Sequence, residues 1–181
     1  MNGNAILSRP VDAAHLSEGA VEIEADAAER AKLAAAYDLV AVNSLSATLE
    51  LAAGPRGSVE VRGRVLADIV QTCVVSLVPV ATHIDEPFSL RFVRPADAPP
   101  PPKAGAEVVI DPERPDPPEV LDGPTIDLGA IAEEAFVLGI DPYPRAPGAS
   151  LPPEVTDLPE SPSDSPFAVL ARLGGRVKGG G

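Results

Sequence analysis

Residues 59–75 carry the strictest alternation in the chain. Val59, Val61, Val65, Ala67, Ile69 and Cys73 fall on one parity, and Ser58, Glu60, Arg62, Arg64 and Asp68 on the other. A period of two marks a strand with one buried and one wet face. The segment is long for a single strand, and Gly63 in its middle is expected to mark a bulge. Ahead of it Leu45, Ala47, Leu49 and Leu51 alternate with polar neighbours, and Gly54-Pro55-Arg56-Gly57 supplies the turn between. Behind it Phe88, Leu90 and Phe92 alternate with Ser89 and Arg91. Strands in series with short turns predict an antiparallel sheet buried on one face.

Helical spacing appears in three places. Residues 25–37 are alanine-rich, and Asp26 with Glu29 three positions on forms a capping-box pattern. Residues 127–139 place Leu128, Ile131, Ala132, Ala135 and Leu138 on one stripe behind an Asp127 cap, and Pro142 and Pro144 end the run. Ser165-Pro166 with Gly174 brackets a short helix over 166–173, which needs a surface for Phe167, Leu170 and Leu173 before it can order. The expected class is α+β: an antiparallel sheet covered by one or two helices, a long proline-rich connector and a short C-terminal helix.

Composition sharpens the boundaries. Of 22 prolines, four lie in 1–94 and 18 beyond, including four in a row at 99–102. Residues 96–124 therefore read as a polyproline-rich connector, with Val108-Val109-Ile110 as a short edge strand inside it. One α+β domain is expected over 1–148, with a flexible Pro/Gly-rich tail over 149–181. The core must come from aliphatic side chains, because only 3% of residues are aromatic.

The chain has 14 basic against 27 acidic residues, a net charge of -13. Such a surface repels polyphosphate at long range and suits basic protein partners better than DNA or naked RNA. One cysteine excludes an intrachain disulfide, and no secretory leader or membrane span is visible, so the cytoplasm is expected.

Candidate chemistry is sparse. Cys73 reads as a small buried residue on the inward strand face, and one cysteine with two distant histidines cannot make a standard zinc site. His83 reads as a surface histidine and Glu133-Glu134 as a solvated helix face. With no phosphate-cradling glycine loop, HExxH or GxSxG, neither catalytic residues, a metal nor a cofactor is expected. Arg62, Arg64 and Arg91 gather guanidiniums on the wet face, either for phosphate contact or for pairing with Glu60 or Glu50. Arg172 belongs to a basic tail. Asp141-Pro142-Tyr143-Pro144-Arg145 joins a rigid backbone to an aromatic ring and a planar cation. That is a binding hot spot or a helix terminator whose tyrosine packs on the sheet.

Several strings recur in a fixed order: Ser8-Arg9-Pro10-Val11, residues 24–38, residues 61–79, Glu86-Pro87-Phe88, Ile126-Asp127-Leu128-Gly129, residues 141–145 and Pro166-Phe167-Ala168-Val169-Leu170. In these the chain resembles the YceD-type large ribosomal RNA subunit accumulation proteins. The resemblance implies a part in synthesis, processing or stability of large-subunit (23S) ribosomal RNA. Many members carry Cys-x-x-Cys where this chain has Cys73-Val74-Val75-Ser76, a departure that argues against a metal role here. With the charge, this points to a non-enzymatic factor holding a basic large-subunit ribosomal protein or assembly factor. Candidate contact residues are Arg62, Arg64, Arg91, Tyr143, Arg145, Phe167 and Arg172. The alternatives are direct binding of 23S ribosomal RNA through the arginines, or a peptide-binding module unrelated to ribosomes.

Overall fold

A computed structural model describes residues 5–13, 19–100 and 116–150. Contacts divide the chain into two units, residues 1–146 and 147–181, and every element named below belongs to the first. Chain order is β1 (Pro10–Asp12), β2 (Ala20–Glu24), α1 (Ala27–Ala36), β3 (Ala41–Ala53), β4 (Val59–Thr72), β5 (Pro79–Val93), β6 (Glu119–Val120), β7 (Thr125–Asp127) and α2 (Leu128–Leu138). The main sheet runs β2-β3-β4-β5-β6, antiparallel except that β6 lies parallel to β5, while β1 and β7 form a separate ladder.

The alternating segment becomes the central strand. β4 pairs with β3 along one edge and with β5 along the other, from Val59 opposite Phe92 to Thr72 opposite Pro79. Its inward residues Val59, Val61, Val65, Ala67 and Ile69 are buried, together with Leu45, Ala47 and Leu49 of β3 and Ile84 and Phe92 of β5. Leu33 of α1 and Leu128, Ile131, Ala132, Ala135 and Phe136 of α2 complete this core. The fold is thus α+β, with helices on one face of the sheet and water on the other.

Gly63 marks no bulge. It pairs in regular register with Leu49 and Phe88, and a Cβ there would stand 2.5 Å from the Phe88 ring and 2.6 Å from the Thr48 carbonyl oxygen. The glycine makes room for an aromatic ring. The register shift falls instead in β3 between Val42 and Ser44, so that Val42 and Leu45 both turn inward. β5 starts at Pro79, well before Phe88, and its prolines are tolerated because β6 pairs only with Phe92 and Val93. β1, β2 and β6 carry no expectation from the sequence. The expected strand at 108–110 and helix at 166–173 lie outside the described residues.

Both helices start as their caps require. The Asp26 carboxylate accepts the Glu29 amide at 2.8 Å while Glu29 accepts the Asp26 amide at 2.9 Å, and Arg9 bridges to Glu29 at 2.8 Å. The Asp127 Oδ1 accepts the amides of Ala130 and of Arg9, and Oδ2 accepts the Ser8 hydroxyl. Burial acts against this charge, but the Arg9 amide and then the Ser8 hydroxyl prevail and hold the carboxyl below its ordinary range.

Glu133 corrects the expectation of a solvated face. It is buried, its Oε2 accepts the amides of Ile6 at 2.7 Å and Leu7 at 3.0 Å, and its Oε1 accepts the Tyr37 hydroxyl at 2.7 Å. A buried carboxylate needs such donors, and the N-terminal segment supplies two of them. Burial, helped by Glu133, pushes the Tyr37 phenol up to about 12, so it stays a donor.

The same joint explains Gly129, where a Cβ would stand 1.3 Å from the Leu7 carbonyl oxygen. Alanine at an open helical site is better than glycine by about 1 kcal/mol. Here Gly129→Ala must displace backbone, and it is expected to lower the unfolding free energy by about 2–4 kcal/mol in a denaturant titration.

Candidate functional site

The turn joining β4 to β5 is built around Cys73. The Cys73 amide donates to the Val78 carbonyl at 2.9 Å and Leu77 donates to the Cys73 carbonyl at 3.0 Å, closing the loop. This places Leu77 at φ 61, left-handed backbone that a branched side chain rarely adopts. Leu77 is also 75% exposed. The strain is therefore not offset by packing, a combination found where a side chain is held out for contact.

The segment after α2 lies against this turn. Val74 donates to the Pro144 carbonyl at 2.9 Å, the Gln71 side-chain amide donates to the Asp141 carbonyl at 2.8 Å, and the Ala146 amide reaches the Cys73 sulfur at 3.3 Å. The two most distinctive strings, 71–79 and 141–145, are thus one structure. Pro144 is buried in the joint. Tyr143 is 72% exposed and does not pack on the sheet as one of the two readings of its string required; the Asp141 carboxylate turns the chain by accepting the Tyr143 amide at 2.8 Å. Val74, Val78 and Val40 are exposed beside the same loop, Val40 through its bond to the Val70 carbonyl. The end of the sheet is an apolar surface bearing one aromatic ring, with Asp38, Asp141 and Arg145 exposed next to it.

Cys73 is buried as expected, but it does more than fill space. It lies just past β4 and is fully covered, yet its sulfur accepts the amides of Val75 at 3.4 Å, Ser76 at 3.3 Å and Ala146. The Ala146 amide first, then the Ser76 hydroxyl and amide, pull the thiol down to about 6. Cys73 is the polar hub of the joint and not an apolar filler. Among the described residues no group of three His, Cys, Asp or Glu side chains is placed to hold a metal ion.

The arginines lie elsewhere. Arg62 and Arg64 of β4 and Arg91 of β5 share the water face, away from Tyr143 and Arg145. Arg62 pairs with Glu60 at 3.1 Å and Arg64 with Asp85, so two of the three are compensated. His83 is exposed on the same face and bonds Asp68 at 2.8 Å. Glu22, Glu24 and Glu50 add further negative charge there. This is an interleaved surface, not a positive groove. Phe167 and Arg172 lie outside the described residues. Leu77 escaped sequence reasoning, because a left-handed backbone at leucine leaves no compositional trace.

A profile of the family described as large ribosomal RNA subunit accumulation protein YceD matches residues 61–174, well over half of the chain. The chain belongs to the YceD family. The YceD match takes in β4 from Val61 onward, β5, β6, β7 and α2, and with them both strings of the joint, while β1 to β3 and α1 precede it. No curated protein and no solved structure matches the chain. Among the described residues no helix is long and apolar enough to cross a membrane.

The depressed thiol makes stability depend on pH in a defined direction. A folded-state pKa near 6 against the ordinary 9.0 means that the thiolate contribution is complete above pH 9 and disappears as pH falls through 6. The stability gap between the native chain and Cys73→Ala is expected to widen from pH 6 to pH 9. Denaturation midpoints measured across that window check it.

Proposed function

We propose that this YceD-family chain supports the accumulation of large-subunit ribosomal RNA without catalysing a reaction, by holding a basic ribosomal protein or assembly factor. The observation that carries this reading is Leu77, held in strained backbone and exposed at the apolar end beside Tyr143. Exposed apolar and aromatic anchors on a rigid base are what protein contacts use. The net charge of -13, with Asp38 and Asp141 exposed at this end, favours a cationic partner and speeds its encounter. A basic ribosomal protein shielded in this way would stay soluble until it meets its RNA. Pairing of Arg62 and Arg64 with carboxylates weighs against a general RNA-binding sheet face.

The variant Leu77→Gly tests the reading cleanly, since glycine relieves the left-handed backbone and should keep or raise stability by about 1 kcal/mol. Together with Tyr143→Ala, it is expected to lower crosslinking to large-subunit precursor particles and their basic proteins at least tenfold. Tight binding to protein-free ribosomal RNA at physiological salt, lost on Arg62→Ala with Arg64→Ala, would overturn it. So would cleavage of RNA by the purified chain.

A further inference from the structure

The other end of β4 carries the opposite chemistry. Where β3 turns into β4, a cavity of about 460 Å³ is lined by Arg56, Arg91 and Arg94 with Ser58 and a single carboxylate, Asp97. Three arginines line this cavity on a molecule whose net charge is -13. We infer that this cavity is an oxyanion site that takes a phosphoryl group.

Three features support a built site over a chance cluster. Arg94 is fixed: it donates to the Arg56 carbonyl oxygen and its Nε stands 3.5 Å from the Asp97 carboxylate. A guanidinium held on two sides loses little freedom when it binds a further oxygen. Arg56 sits at φ 58 in the tight turn at Pro55–Gly57, so its backbone, like its carbonyl, is committed to this arrangement. Arg91 faces Glu60 across the strands, but Glu60 turns to Arg62 at 3.1 Å. Neither Arg56 nor Arg91 has a carboxylate partner among the described residues. The adjoining hollow is lined by Glu60 and Asp116 as well as Arg62 and Arg91, so its charges balance and it bounds the positive region on that side.

Charge selects the ligand. Three guanidiniums less one carboxylate leave two positive charges, which a phosphate monoester dianion balances and a carboxylate does not. Guanidinium forks also match phosphate oxygens two at a time. The group could arrive as free phosphate or at the end of an RNA chain. This site is distinct from the apolar end, and its test does not depend on a protein partner.

The test follows backbone amides of the full chain by nuclear magnetic resonance during titration with sodium phosphate at constant ionic strength. Saturable shifts at Arg56, Ser58 and Arg91, absent with chloride, are expected. Arg56→Gly, which also suits the left-handed backbone, and Arg91→Ala should each weaken binding about tenfold, while Lys32→Ala on α1 should leave it unchanged. A 5′-phosphorylated oligoribonucleotide that binds more tightly than phosphate, with its 5′-hydroxyl twin weaker, assigns the group to an RNA end; equal affinity for phosphate and the phosphorylated oligonucleotide assigns it to the phosphoryl group alone. Shifts that never saturate, an equal response to chloride, or undiminished affinity in both arginine variants would overturn the assignment.

Discussion

The main sheet and the helix that covers it are placed by the two edges and one buried face of β4. Its edges are filled by β3 and β5 along nearly all of its length, and its inward aliphatics carry α2. A strand whose side chains alternate between core and water cannot slip by one residue without exposing the whole set. That constraint holds the Cys73 turn at one end and the Arg56 turn at the other. A change to β4 register would dismantle both surfaces at once, although neither surface lies within the strand.

The joint around Cys73 shows how a small, aromatic-poor protein fixes a loop without a disulfide. Three amides and the Ser76 hydroxyl act on one sulfur, while the Val74 backbone amide and the Gln71 side-chain amide tie the post-helix segment to it. Each bond is worth about 1 kcal/mol, so the loop is held by their number. The Gln71 Oε1 has no partner in this arrangement and is the one side-chain atom of its kind among the described residues.

Local patterns revealed the elements with local causes. The capping box at Asp26, the Asp127 cap and the parity of β3 and β4 each depend on neighbours a few residues away, and each stands where the sequence placed it. Glu133 was misread because the amides that bury it come from Ile6 and Leu7, far off in sequence. Gly63 was misread because its reason is the Phe88 ring on the next strand. β6, two residues long and parallel, offers no period to detect. At the candidate site the two strings were legible as unusual, but their contact was not, since nothing in 71–79 specifies 141–146. The three arginines were legible as sharing a face, and the carboxylates that compensate two of them were only partly foreseen.

The bond from Ile6 to Glu133 spans 127 residues. Synthesis is vectorial, so the N-terminal segment emerges long before the carboxylate that receives it. Until α2 has left the exit tunnel, Leu7 has no lid to lie beneath and the sheet keeps an uncovered greasy face. Folding of the nascent chain must therefore wait for nearly the whole first unit to be translated, and closure of that clasp is a late event with a high loop-closure penalty.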